Sequence, residues 1–190
     1  MTCRNLIARA MRKLTVLGAG ESPGASEATD ALEVLQGLYD GWLTAGLFGA
    51  MTDVIKSADY TAKEFERVRK DAACTITIPT TYEDDDTGLT RPPRDLSVIQ
   101  VLYPATDARE THIYDATLGE WVRIEALTLD TTPPLFNRNQ DGLACCLAEM
   151  LADEYQAQLG VLTAAKAAAF RSNLGLNLNN PVLPGQPAYF

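Results

Sequence analysis

Between Ala28 and Leu43 apolar residues recur every three or four positions: Ala28, Ala31, Leu32, Leu35, Leu38, Tyr39, Trp42 and Leu43. That period lines up one face of an α-helix, and such a face stays out of water only by packing against other apolar surface. The chain must therefore build a core around it. Ser26 is placed to cap the helix start, and Gly46 to end it. Gly37 and Gly41 interrupt the run, each at a cost of about 1 kcal/mol relative to alanine. Close packing against another helix would explain them; Gly41 alternatively only weakens the last turn.

Other segments offer partner faces. Leu6, Ile7, Ala10, Met11, Leu14 and Leu17 predict a helix over 3–17, with Arg9, Arg12 and Lys13 off the stripe and Gly18 and Gly20 as the stop. Leu143, Ala144, Leu147, Met150, Leu151, Tyr155 and Leu159 predict another, capped by Asp141 and ended by Gly160. Thr163 is placed to cap a last alanine-rich helix, 164–174, which Gly175 closes. Thr61-Ala62-Lys63-Glu64 matches a capping box and predicts a short helix to about Ala72.

The period changes in the middle of the chain. Cys74 to Ile78 and Leu96 to Tyr103 are rich in β-branched and apolar residues, and read as strands. Residues 111–115 and 120–125 flank Ala116-Thr117-Leu118-Gly119, a hairpin turn. Residues 176–190 carry three prolines and no charge, so they do not continue a helix. Yet they hold Leu176, Leu178, Val182, Leu183, Tyr189 and Phe190, too apolar a set for a solvated tail. They read as an arm that docks on another surface. The expected fold is mainly α: a helical bundle of residues 1–72 and 137–175, a small antiparallel β insertion at 73–136, and an extended C-terminal arm at 176–190.

Charge is unevenly spread. The net charge is -9. Residues 71–137 hold 4 basic and 12 acidic residues, net -8, whereas residues 1–70 balance at 9 of each. An acidic surface repels phosphate, which disfavours tight nucleic-acid binding. The first 20 residues carry Arg4, Arg9, Arg12 and Lys13 and no acid. Arg9 and Arg12 are thus candidate contact charges toward an acidic surface such as the insertion. Cys3, Cys74, Cys145 and Cys146 form no CxxC pair, so they read as reduced, mostly buried thiols in a cytoplasmic chain. No apolar run approaches the ~20 residues of a membrane span, and no signal-peptide pattern follows the basic start.

No catalytic, cofactor or metal site is expected. His112 is the single histidine and reads as a surface or edge-strand residue, with no nucleophile motif around it. Cysteines and one distant histidine do not supply a tetrahedral metal site. Glu83-Asp84-Asp85-Asp86 lacks the alternating spacing of a calcium loop and reads as a solvated acidic run. Gly18-Ala19-Gly20 lacks the lysine of a phosphate loop and is followed by Glu21.

Two stretches carry a resemblance. Residues 7–47 hold Arg12-Lys13-Leu14, then Glu21-Ser22-Pro23, then Asp30-Ala31-Leu32, with Trp42 following. A second stretch, PPLFNRNQDGLACCLAEMLADEYQAQLG, enters a Leu- and Ala-rich helix through prolines. Together, over about 70 of 190 residues, they resemble the head-to-tail adaptor proteins of short-tailed bacteriophages. The resemblance implies a structural virion protein, not an enzyme. It implies a homo-oligomeric ring, commonly of twelve copies, beneath the portal protein and above a tail or nozzle protein. Double-stranded DNA would pass through its channel, and the arm would pack on the portal or a neighbouring subunit. The acidic insertion departs from the family's compact members. Without the resemblance, the residues suit a helical regulatory or scaffold binding module.

Overall fold

The computed structural model describes residues 2–48, 52–55, 59–61, 66–70, 75–83, 88–103, 106, 108–135 and 139–179. Among the described residues there are four α-helices: α1 (Cys3–Lys13), α2 (Ala25–Thr44), α3 (Gln140–Glu154) and α4 (Val161–Asn179). The described residues between α2 and α3 include nine strands: β1 (Thr52–Ile55), β2 (Asp59–Thr61), β3 (Glu66–Arg69), β4 (Thr75–Thr77), β5 (Tyr82–Glu83), β6 (Thr90–Arg91), β7 (Val98–Tyr103), β8 (Ala108–Asp115) and β9 (Glu120–Arg123).

The fold is mixed α/β, which corrects the mainly helical expectation. Five strands form one sheet in the order β1-β3-β7-β8-β9. Its β1-β3 and β3-β7 pairs are parallel and its β7-β8 and β8-β9 pairs antiparallel. It is therefore not a purely antiparallel insertion, and strands begin at Thr52, well ahead of residue 73. The helix expected from Thr61 to Ala72 is absent from its described residues: Thr61 closes β2, and Glu66–Arg69 is strand β3. Val68, fully buried in the sheet, explains the reversal. A capping box is a local signal, and pairing on both sides of a strand overrides it.

The sheet has two apolar faces, and alternation along β7 and β8 assigns residues to each. Val98 and Ile113 pair directly and join the core built by the helices. Ile99 and Val101 turn the other way, with Val68, onto a smaller cluster that Ile76, Ile78, Tyr103 and Trp121 border. The helical core contains the expected set, including Leu35, Trp42, Leu147 and Leu151, all buried. Trp42 lies against Tyr39, Phe48 and Phe170. Met150 is the exception on its predicted face, being 48% exposed.

The hairpin is where the alternation placed it: β8 and β9 join through residues 116–119, with Gly119 at φ +73. Its Asp115 is fully buried. That carboxylate accepts from the Thr117 amide at 2.8 Å, the Thr117 hydroxyl at 2.5 Å and the Leu135 amide at 2.7 Å. It ties the turn to the segment that leads into α3. Tyr39 does the same from α2, donating to the Pro134 carbonyl at 2.6 Å.

Helix ends differ from expectation in informative ways. Asn139, not Asp141, caps α3, its side chain accepting from the Gly142 amide at 2.9 Å. Gly24 precedes α2, and its amide donates to the Glu27 carboxylate at 2.8 Å, so Ser26 lies inside the first turn. Helix α4 starts at Val161, two residues ahead of Thr163, and runs through Gly175 to Asn179. An interior glycine costs a helix about 1 kcal/mol but does not end it; Pro181 is the first residue whose ring bars continuation. A Cβ on Gly37 or Gly41 would meet nothing within 4 Å, so neither marks close helix packing. Gly142 does: a Cβ there would lie 2.6 Å from the Phe170 ring, so its bareness lets α4 approach α3.

Candidate functional site

The α1 sequence places three cations on one side, because Arg9, Arg12 and Lys13 are three and four residues apart. Such like charges repel by a few tenths of a kcal/mol per pair on an isolated helix. α1 packs against α3 and delivers them to the α3 start. There Arg9, Arg12, Lys13, Gln140 and Asp141 line an open cleft of about 480 Å³.

Partners within the cleft are mostly neutral. Arg9 donates to the Gln140 amide oxygen at 2.9 Å. Arg12 donates to the carbonyls of Glu21 at 2.6 Å and Gly18 at 3.4 Å, closing the loop after α1. Among the described residues neither guanidinium has a carboxylate partner. Lys13 and Lys166 share one acid, Asp141, at 2.5 Å and 2.6 Å. Three cations thus line the cleft with Asp141, and Lys166 pairs with that carboxylate as well, beside the positive end of the α3 dipole.

Electrostatics follow from that ratio. Hydrogen bonds from Lys13 and Lys166 hold the Asp141 carboxyl down at about 2, against a small opposing effect of burial. Burial pulls the Lys13 ammonium down, but Asp141 outweighs it and its pKa ends above the ordinary value. Burial pushes the neighbouring Cys145 thiol up. A depressed carboxylate pKa stabilises the fold above the unfolded value near 3.8. That contribution is lost as pH falls from about 4 towards 2. Asp141 is exposed, so the effect is small. Asp141→Asn is therefore expected to flatten the steepest part of the acid limb of a stability-versus-pH curve, measured by urea unfolding, and to leave stability near pH 7 only slightly lower.

The arrangement can bind carboxylate or another anion; it offers no nucleophile paired with a base. A second polar group surrounds His112. β8 lies between β7 and β9, so His112 is an inner-strand residue, not an edge one. Its imidazole lies 3.6 Å from Glu110, which also pairs with Arg123 at 3.3 Å. Burial, with help from Arg123, lowers the His112 pKa despite the opposing pull of Glu110. Among the described residues no group of three or more His, Cys, Asp or Glu side chains could hold a metal ion. Cys3, Cys145 and Cys146 are free and buried.

Of the predicted contact residues, Arg9 and Arg12 come together in the cleft. Leu176 and Leu178 lie within α4 rather than in an extended arm. Val182, Leu183, Tyr189 and Phe190 lie outside the described residues, as do Cys74 and Asp84, Asp85 and Asp86 of the acidic run. Sequence reasoning missed Gln140, which lines the cleft through the packing of α3 on α1, and Lys166, which reaches Asp141 through the packing of α4 on α3. No helix among the described residues is long and apolar enough to cross a membrane. No family model matches the chain, and no curated protein gives a significant match.

Proposed function

We propose that this chain is a structural virion protein: a subunit of a head-to-tail adaptor ring, seated under the portal of a tailed bacteriophage and joining head to tail. One observation carries the reading. The residues behind the resemblance act together as one folded unit: Arg12 binds the backbone of the Glu21 loop, Leu14 and Ala31 are buried in one core, and Trp42 closes that core against α4. The basic cleft gives the unit a charged face suited to protein contacts. The acidic balance of the chain suits a conduit that double-stranded DNA slides through without sticking.

In this reading the chain assembles in the bacterial host cytoplasm, about twelve copies make the ring, and residues 180–190 reach the portal or the neighbouring subunit. The test is purified chain mixed with its portal, followed by gradient sedimentation and electron microscopy. Rings on the portal are the expected result. Deleting residues 180–190 is expected to leave the helical circular dichroism intact and reduce portal binding at least ten-fold. A stable free oligomer without portal affinity would favour a scaffold binding module instead.

A further inference from the structure

Opposite charges gather at the two ends of α3, about 20 Å apart at 1.5 Å per residue. At its start, Arg9, Arg12, Lys13 and Lys166 outnumber Asp141. At its far end lie Glu154, the last residue of α3, and Tyr155, on which Glu27 and the exposed Asp30 from the first turns of α2 also act electrostatically. Its phenol pKa is raised first by burial and then by these three carboxylates. Glu154 closes α3, whose last turn holds no basic residue. Helix dipoles concentrate negative potential there, so an acid at that place is unfavourable for an isolated subunit. Among the described residues no basic group pairs with Asp30 or Glu154. Each end thus carries charges that have no ion-pair partner among the described residues.

We propose that the cleft at Arg9 and Arg12 docks the Asp30–Glu154 patch of a second copy, so that copies join head to tail. The inference rests on the ring-subunit reading and names its lateral contact. Guanidinium forks match carboxylates in bidentate pairs, and among the described residues the Arg9 and Arg12 groups donate to neutral oxygens. The cleft, about 480 Å³ and open, admits side chains of that size. Because the two surfaces differ and lie at opposite ends, the contact is heterologous and repeats from copy to copy, closing where the rotation allows. A second copy offers a local cluster of carboxylates that matches the cleft, whereas duplex DNA would bring a continuous line of phosphates against the chain's net charge of -9.

The experiment is sedimentation velocity on the full chain at about 50 mM and about 500 mM salt, where screening differs strongly. Self-association is expected at low salt and at least ten-fold weaker at high salt. Arg9→Glu/Arg12→Glu and Asp30→Lys/Glu154→Lys are each expected to be monomeric with unchanged circular dichroism. Mixing the two is expected to restore association, since every junction then again opposes unlike charges. Arg9→Glu alone, which leaves the loop contacts of Arg12 intact, should weaken association in the same direction. A wild-type chain that stays monomeric at low salt overturns the proposal, as does association indifferent to both reversals or a mixture that fails to reassociate. Duplex DNA bound by the wild type and lost in Arg9→Glu would also overturn it, assigning the cleft to phosphate. Normal rings of Arg9→Glu/Arg12→Glu on the portal would sink this contact and leave the adaptor reading standing. Head-to-tail association without portal affinity would do the reverse.

Discussion

Asp115→Ala is expected to destabilise the protein by about 1 to 3 kcal/mol, the cost of leaving a buried hydrogen-bond donor without its acceptor. The carboxylate holds the Thr117 amide and hydroxyl and the Leu135 amide, and is itself fully buried. Alanine leaves the buried Leu135 amide without its acceptor and frees the β8–β9 turn from the chain leading into α3. Asparagine keeps the shape and one oxygen, so Asp115→Asn should lose less. Urea unfolding followed by circular dichroism measures both. A loss under 1 kcal/mol for the alanine variant would mean that water replaces the carboxylate at no cost, and the staple would have no energetic role.

Leu35→Ala is expected to cost about 2 to 5 kcal/mol. Leu35 is fully buried on the inner face of α2. Removing its branched end takes away apolar burial and leaves a cavity that the surrounding helices only partly fill. The neighbouring Leu32, half-buried on the same helix, should lose less on the same change. Thermal and urea unfolding of the two variants compare them directly. Equal small losses would place the α2 face at an assembly surface instead of a core.

What could be read from the chain alone follows from how local each signal is. The α2 stripe from Ala28 to Leu43 specifies its own burial, because period and face coincide. The β8–β9 hairpin was equally legible, since its turn and both strands are contiguous. Strand β3 was not: its partners β1 and β7 lie at a distance in sequence, and the Thr61 capping box pointed the other way. Glycines misled for the same reason. Gly37 and Gly41 sit in the clearest helix yet face open space, whereas Gly142 is pressed by Phe170 from another helix. Gly175 reads as a stop because glycine often ends helices, but α4 passes through it. In the cleft, the spacing of Arg9, Arg12 and Lys13 was visible; the reason Asp141 is free to pair was not. Asn139 takes the capping role, which releases the Asp141 carboxylate to Lys13 and Lys166.

The two faces of the sheet have an optical consequence. The chain holds two tryptophans. Trp42 sits in the helical core with Tyr39, Phe48 and Phe170 around it. Trp121 borders the smaller cluster, its ring 5.4 Å from that of Tyr114 and its indole N–H donating to the Pro79 carbonyl at 3.0 Å. Each side of the sheet therefore carries its own fluorophore. Emission from Trp42 follows the docking of α4, and emission from Trp121 follows the closure of the 79–80 segment over β9. With one tryptophan replaced by phenylalanine, the loosening of either side becomes a separate spectroscopic signal, so the order in which the two cores come apart can be watched without adding any label.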